Sequence, residues 1–212
     1  MDKITMQKLA DEHPMVSVER LENIYHNLSH TLLSNISGAV VEIGCNAGGT
    51  SVFLKMIINE LAPDRELHVY DSFRGLPQKS FYDTLFDEGD LAASLYEVKN
   101  NFCKWGLDLP VIHRGWFQDT LPTELPNCIA FAYLDSDFYD SILISLQHVY
   151  SRLSNNAFVL IDDYWDSDQI TQDSLGLPGV KKACDVFFID KLEKINLLPG
   201  SGNLAMGYFR KR

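Results

Sequence analysis

Several things are scarce in this chain, and each scarcity narrows the range of functions. Basic residues are in deficit: 18 lysines and arginines against 29 aspartates and glutamates leave a formal charge of −11. Nucleic-acid binding leans on a basic face, so this balance argues against such a partner and favours a small or weakly charged ligand. No Cys-x-x-Cys pair occurs. Cys45, Cys103, Cys128 and Cys184 are scattered, which predicts reduced core or near-site thiols in a reducing compartment. No apolar run reaches membrane length, and Met1 to Pro14 is polar and charged, so a soluble, cytoplasmic protein without a membrane partner is expected. There is neither an internal repeat nor a low-complexity linker. At 212 residues and 46% hydrophobic, the chain suffices for one complete core and is short for two, which predicts a single domain over 1–212.

The glycine-rich stretch Gly44-Cys45-Asn46-Ala47-Gly48-Gly49 lacks two further things. It lacks Gly-x-Gly-x-x-Gly spacing, which disfavours a nicotinamide or flavin enzyme, and it lacks the lysine of a phosphate-binding loop. What remains is a turn that lets a ligand approach the backbone, with Glu42 at its base and a helix amino terminus beyond it.

What is present alternates helix with strand. Val18, Leu21, Ile24, Tyr25, Leu28 and Leu32 recur at helical spacing within an N-terminal helical segment, 1–36. Strands are predicted at Ala39–Ile43, Glu66–Tyr70, Leu109–His113, Ile129–Leu134 and Ala157–Ile161. Between them come helices at Thr50–Leu61, Leu91–Trp105 and from Ser136 or Asp137 to Leu153, with only a short turn expected before Pro122. A helix near Val180–Ile189 precedes two last strands, Lys194–Leu198 and Asn203–Phe209, joined as an antiparallel hairpin by Pro199-Gly200-Ser201-Gly202. The expected fold is therefore α/β, a doubly wound, mostly parallel sheet with helices on both faces. The loop from Ser72 to Asp90, rich in turn formers and aromatics, is longer than a compact domain keeps without a use and is the candidate lid.

Acids end two of these strands. Asp135 and Asp137 follow Leu134, and Asp162 and Asp163 follow Ile161. If the strands are parallel neighbours, about 4.8 Å apart, their carboxylates leave the same sheet edge and converge. Crowded acids need a cation between them, and an all-oxygen site suits magnesium, manganese or calcium. Asp71 ends the second strand, where an acid can accept hydrogen bonds from both ribose hydroxyls. Together these features suggest a nucleoside ligand without a pyrophosphate.

Val41-Glu42-Ile43-Gly44 with Gly48-Gly49, Tyr70-Asp71-Ser72-Phe73-Arg74-Gly75-Leu76-Pro77, Gly115-Trp116-Phe117-Gln118-Asp119-Thr120-Leu121-Pro122, Leu134-Asp135-Ser136-Asp137-Phe138-Tyr139-Asp140-Ser141 and Ile161-Asp162-Asp163-Tyr164 occur in that order. As a set they resemble the successive motifs of the macrocin O-methyltransferase (TylF/MycF) family. The resemblance implies a Rossmann-like class I methyltransferase fold with a seven-stranded sheet. It also implies S-adenosylmethionine as methyl donor, a magnesium-type ion, and transfer to a hydroxyl of a small molecule, often a sugar of a natural product. Carried over, Asp135, Asp162 and Asp163 match the metal acids, and Asp135 also stands in the place of the general base. The methionine end of the cofactor would lie near Glu42, Gly44, Asn46, Gly48 and Thr50. Asp71 and Ser72 would serve the ribose, and Phe117 and Gln118 the adenine.

Blander readings stand beside these. Asp137 and Asp140 fit helix capping better than a site role. Trp116 and Trp165 fit core or pocket wall, and His113 fits a satisfied core histidine at least as well as a base. An idle S-adenosylmethionine-binding module and a metal-dependent hydrolase on a similar fold remain the alternatives. The acceptor is expected to be shaped by residues 72–90 and 165–179, and a homo-oligomer is left open.

Overall fold

The computed structural model describes residues 2–164, 177–199 and 205–212. In chain order these form α1 (Lys3–Glu12), α2 (Val18–Leu33), β1 (Ala39–Ile43), α3 (Gly49–Leu61), β2 (Leu67–Asp71), α4 (Leu95–Lys104) and β3 (Val111–Arg114). There follow α5 (Phe117–Glu124), β4 (Ile129–Leu134), α6 (Tyr139–Tyr150), β5 (Leu153–Ile161), α7 (Pro178–Phe187), β6 (Asn196–Pro199) and β7 (Ala205–Arg210).

Side chains of the central strands alternate between two apolar layers. Val40, Phe131, Tyr133, Phe158 and Leu160 pack on one face with α1 to α4, which contribute Leu21, Ile24 and Phe53 among others. Val41, Ala132, Leu134, Val159 and Ile161 pack on the other with α5 to α7, which contribute Leu121, Ile142 and Val180. A sheet made of apolar residues on both sides must be covered on both sides, and the helices do so. Glu42 is the exception, a fully buried acid in β1.

The sheet order is β3-β2-β1-β4-β5-β7-β6. Strands β1 to β5 run parallel, and β7 pairs antiparallel with both β5 and β6. From β1 the chain steps outward through β2 and β3, then returns to place β4 on the other side of β1. That reversal opens a crevice at the carboxyl ends of β1 and β4, where ligands of open α/β sheets bind.

The expected mostly parallel sheet with an antiparallel hairpin is present. Its last strand, β7, lies inside the sheet, and β6 takes the edge. Gly200 to Leu204, including most of the expected hairpin turn, lie outside the described residues. The expected short turn before Pro122 is instead helix α5, with Pro122 inside it. Helix α4 starts later than expected, at a capping box in which Ser94 accepts from the Glu97 amide and Glu97 from the Ser94 amide. Helix α6 starts at Tyr139, and β5 starts at Leu153, with Asn156 at φ 66° in a strand whose pairing is irregular opposite Ile129 and Phe131. Among the described residues, no helix is long and apolar enough to cross a membrane.

Candidate active site

The parallel ladder continues past the strand ends and sets the acids in a row. The Asp135 amide donates to the Ile43 carbonyl at 2.8 Å, the Asp162 amide to that of Leu134 at 2.8 Å, and the Gly44 amide to that of Tyr70 at 2.9 Å. Asp135, Asp137 and Asp163 border a cavity of ≈ 960 Å³ at the crevice.

On the β1 side, the glycine turn is built for close approach. Gly44 has φ +89°, and a Cβ there would overlap the Asp135 carbonyl oxygen. Gly48 has φ +83° at the start of α3, a conformation that favours glycine, and sits against Val98 of α4. The Asn46 amide donates to Asp71 Oδ2 and the Phe73 amide to Asp71 Oδ1, both at 2.8 Å, so one carboxylate ties together the turns after β1 and β2. Burial pushes the Asp71 carboxyl up, while these amides pull it down. Asn46 also donates to the Leu91 carbonyl at 2.7 Å, and the Ser72 hydroxyl donates to the Gly75 carbonyl at 3.0 Å.

Glu42 and Thr50 border the cavity beside this turn. Ser51 donates its hydroxyl to Glu42 Oε2, and Glu42 Oε1 has no hydrogen-bond partner among the described residues. Burial raises the Glu42 pKa to about 8, with the Ser51 hydrogen bond acting against the rise. Phe117 and Gln118, at the start of α5, line the cavity together with Trp116. All the residues expected at the cofactor therefore surround one space, except Gly48, which shapes the turn from just outside it.

The acids are arranged differently from the expectation. Carboxylate oxygens of Asp135, Asp137 and Asp163 lie within 4.8 Å of one another. Asp162 is not in that group: its Oδ2 accepts from the Tyr133 hydroxyl at 2.6 Å and lies 3.0 Å from Arg20 Nη1, while its Oδ1 is buried without a hydrogen-bond partner among the described residues. Asp137 takes the third place. It does not cap α6, whose first amide, that of Tyr139, donates to Asp83 at 2.9 Å. Asp137 and Asp163 both adopt left-handed backbone, φ 57° and 51°, a strained arrangement that concentrates at functional sites.

Crowding has an electrostatic signature. Burial raises the Asp135 pKa, Asp162 and Asp137 raise it further, and Arg20 opposes the rise. Burial followed by Asp162 lifts Asp137 to about 7 and Asp163 to about 8. Burial works against the charge of Arg20, and its acidic neighbours, Asp162 foremost, outweigh it and raise its pKa. Arg20, which also lies 3.6 Å from Asp163 Oδ1, gives no signal in the sequence, because one arginine on an amphipathic helix looks like a solvent-face charge.

The Ser72–Asp90 loop forms part of the cavity wall through Leu76, Leu85 and Phe86. His113 is satisfied elsewhere: its Nδ1 lies 2.6 Å from Glu124, its Nε2 lies 3.0 Å from His68, and its ring stacks on Tyr70. Trp165 and the rest of 165–176 lie outside the described residues.

The sequence profile of macrocin-O-methyltransferase (TylF) matches residues 6–174, which spans both turns and both acid-tipped strands. The chain belongs to that family. It is 34% identical over 165 residues to mycinamicin III 3''-O-methyltransferase of Micromonospora griseorubida, covering 72% of this chain and 65% of that protein. To the 8-demethyl-8-(2,3-dimethoxy-alpha-L-rhamnosyl)-tetracenomycin-C 4'-O-methyltransferase of Streptomyces olivaceus it is 34% identical over 163 residues, covering 72% and 62%. The matched part is thus less than two thirds of each of these relatives. Among solved structures, the O-methyltransferase NovP superposes with a TM-score of 0.77 at 27% identity, over 93% of this chain and 81% of NovP.

Proposed function

We propose that this TylF-family protein is an S-adenosylmethionine-dependent, divalent-cation-dependent O-methyltransferase acting on a hydroxyl of a glycosylated small molecule. The observation that carries the reading is the convergence of the cofactor-type turns with Asp135, Asp137 and Asp163 on one cavity. The relatives support the acceptor class, since one is named for methylating a rhamnosyl-bearing tetracenomycin and another for methylating a mycinamicin.

The donor set fits a hard cation. It is all carboxylate, its oxygens are close enough to share one ion, burial and neighbouring acids raise the pKa of each, and among the described residues a buried oxygen of the adjoining Asp162 has no hydrogen-bond partner. Asp135, Asp137 and Asp163 would hold the ion. When bound, a divalent cation supplies positive charge that lowers the pKa of an alcohol from near that of bulk water.

The chain's own residues do the rest. Glu42, Asn46 and Thr50 would hold the amino-acid moiety of the donor, Asp71 the ribose and Phe117 with Gln118 the adenine, and all six line the cavity. Asp135 takes the acceptor's hydroxyl proton on a carboxylate oxygen while the hydroxyl oxygen attacks the methyl carbon. The carbon–sulfur bond breaks, its electron pair stays on sulfur, and S-adenosylhomocysteine leaves with the sulfonium charge discharged. The cavity walls hold the reacting atoms at near-attack distance, roughly 3 to 3.5 Å, and the 72–90 loop excludes water.

Incubation with S-adenosylmethionine, magnesium and a panel of rhamnosides and other deoxysugar glycosides tests the reading. A methylated glycoside seen by mass spectrometry, absent with a chelator and in Asp135→Asn, is expected. Metal-dependent phosphatase activity without S-adenosylhomocysteine binding would favour the hydrolase instead.

A further inference from the structure

Helix α6 starts without a side-chain cap of its own. Phe138 stands at the N-cap position with extended backbone, φ −98° and ψ 152°, and has no side-chain oxygen to offer. The first amides of a helix need acceptors from outside it. Here the acceptor comes from 56 residues upstream. Asp83, on the Ser72–Asp90 loop, takes the Tyr139 amide on Oδ1 at 2.9 Å, while its Oδ2 accepts from the Ser80 amide at 2.9 Å and the Ser80 hydroxyl at 2.6 Å. A buried carboxylate, 7% exposed, is thus shared between loop and helix, where it also meets the positive end of the helix dipole. The adjacent Tyr82 ring lies on that of Tyr139, centroids 4.8 Å apart.

A glycine on a third element makes room for this contact. A Cβ on Gly179, the second residue of α7, would overlap Asp83 Oδ1 and stand 3.0 Å from the Tyr139 nitrogen. Its φ lies outside the left-handed region, so the demand for glycine comes from the space that Asp83 occupies. What the contact holds is the turn that carries the acids. Asp137, at φ 57°, leads into Phe138, whose amide donates to the Ser136 carbonyl at 2.6 Å and whose carbonyl accepts the first helical bond, from Ile142, at 2.9 Å. Where α6 begins therefore decides where Asp135 and Asp137 point. Leu85 and Phe86, just beyond Asp83, line the same cavity as these acids.

We propose that Asp83 is a positioning residue, a latch through which the docked 72–90 loop fixes the start of α6 and with it the orientation of Asp135 and Asp137. Its catalytic consequence rests on the methyltransferase reading above. Covering the cavity and placing the acids are then one event. A cap within α6 itself would hold the helix whether or not the loop was in place.

Wild type, Asp83→Ala, Gly179→Ala and the double variant test this, with folding checked by circular dichroism. Asp83→Ala should lower kcat for methylation of a rhamnoside roughly ten- to a hundredfold, the scale of a small misplacement of reacting groups, with a much smaller change in S-adenosylhomocysteine binding by calorimetry. Gly179→Ala leaves Asp83 chemically intact but pushes it off Tyr139, so it should reproduce the loss, although alanine is the better helix former. Because both substitutions break one interaction, the double variant should be no slower than Asp83→Ala. Amide deuterium exchange should quicken together over 79–87 and 135–142 in each single variant. Near-normal turnover by folded Asp83→Ala, losses that multiply in the double variant, or faster exchange confined to one of the two segments overturns the latch. A wild-type protein that neither binds S-adenosylhomocysteine nor methylates a rhamnoside would instead count against the methyltransferase reading, and the exchange data would still decide whether Asp83 couples the loop to the acid-bearing turn.

Discussion

Gly44 and Asp135 touch across neighbouring strand ends, with no room for a side chain on Gly44 beside the Asp135 carbonyl. The turn expected to receive the cofactor and the acid expected to take the proton are thus positioned by one backbone contact. Gly44→Ala adds a Cβ at that contact and forces a non-glycine residue to φ +89°. Strain of this kind costs about 1–3 kcal/mol, so the melting temperature should fall by several degrees. Turnover should fall at least tenfold at temperatures where the variant is still folded, because Asp135 must shift. Parallel melting curves and rate measurements check both parts.

Asp71 accepts two backbone amides and orders both turns. Asp71→Ala removes those acceptors together with the expected ribose contact. Hydrogen bonds to a charged group contribute about 1.5–3 kcal/mol, so S-adenosylhomocysteine should bind roughly ten- to a hundredfold more weakly, as read by calorimetry.

Glu42 makes stability depend on pH in a direction opposite to most acids. Its pKa rises from 4.5 to about 8 on folding, so the folded state holds a proton that the unfolded state releases. The stabilisation is full below pH 4.5 and is lost as pH climbs towards 8. Glu42→Gln keeps an acceptor for Ser51 without the charge. Denaturant titrations should show the variant gaining stability over wild type between about pH 5 and pH 8, on the order of 2–5 kcal/mol. A constant difference across that range would contradict the assignment.

Asp137 and Asp162 should separate by what they lose. Asp137→Asn should weaken manganese binding at least tenfold with little change in melting, because Asp137 faces the cluster and does not cap α6. Asp162→Asn leaves Arg20 without its nearest carboxylate. Breaking a buried pair costs about 3–5 kcal/mol, so its main effect should be a lowered melting temperature.

The legible parts of this chain are those carried by local pattern. Apolar runs ended by acids reveal β4 and β5 and point to their parallel pairing, and the glycine turn with Asp71 marks the expected cofactor end. Features set by distant contacts or backbone geometry are harder to see. Asp137 looks like a helix cap in sequence, and its left-handed φ of 57° accompanies its place in the cluster. Arg20 meets Asp162 from the far N-terminal part of the chain, with no local signal for the encounter. Helix α5 is hidden by Pro122, although Asp119 in its first turn is the kind of acid that helix starts favour.

The most direct measurement is a calorimetric titration of S-adenosylhomocysteine into the protein with magnesium present. One-site, micromolar binding that Asp71→Ala weakens is the expected result. Absence of binding to folded protein would contradict a methyltransferase cofactor site in this cavity.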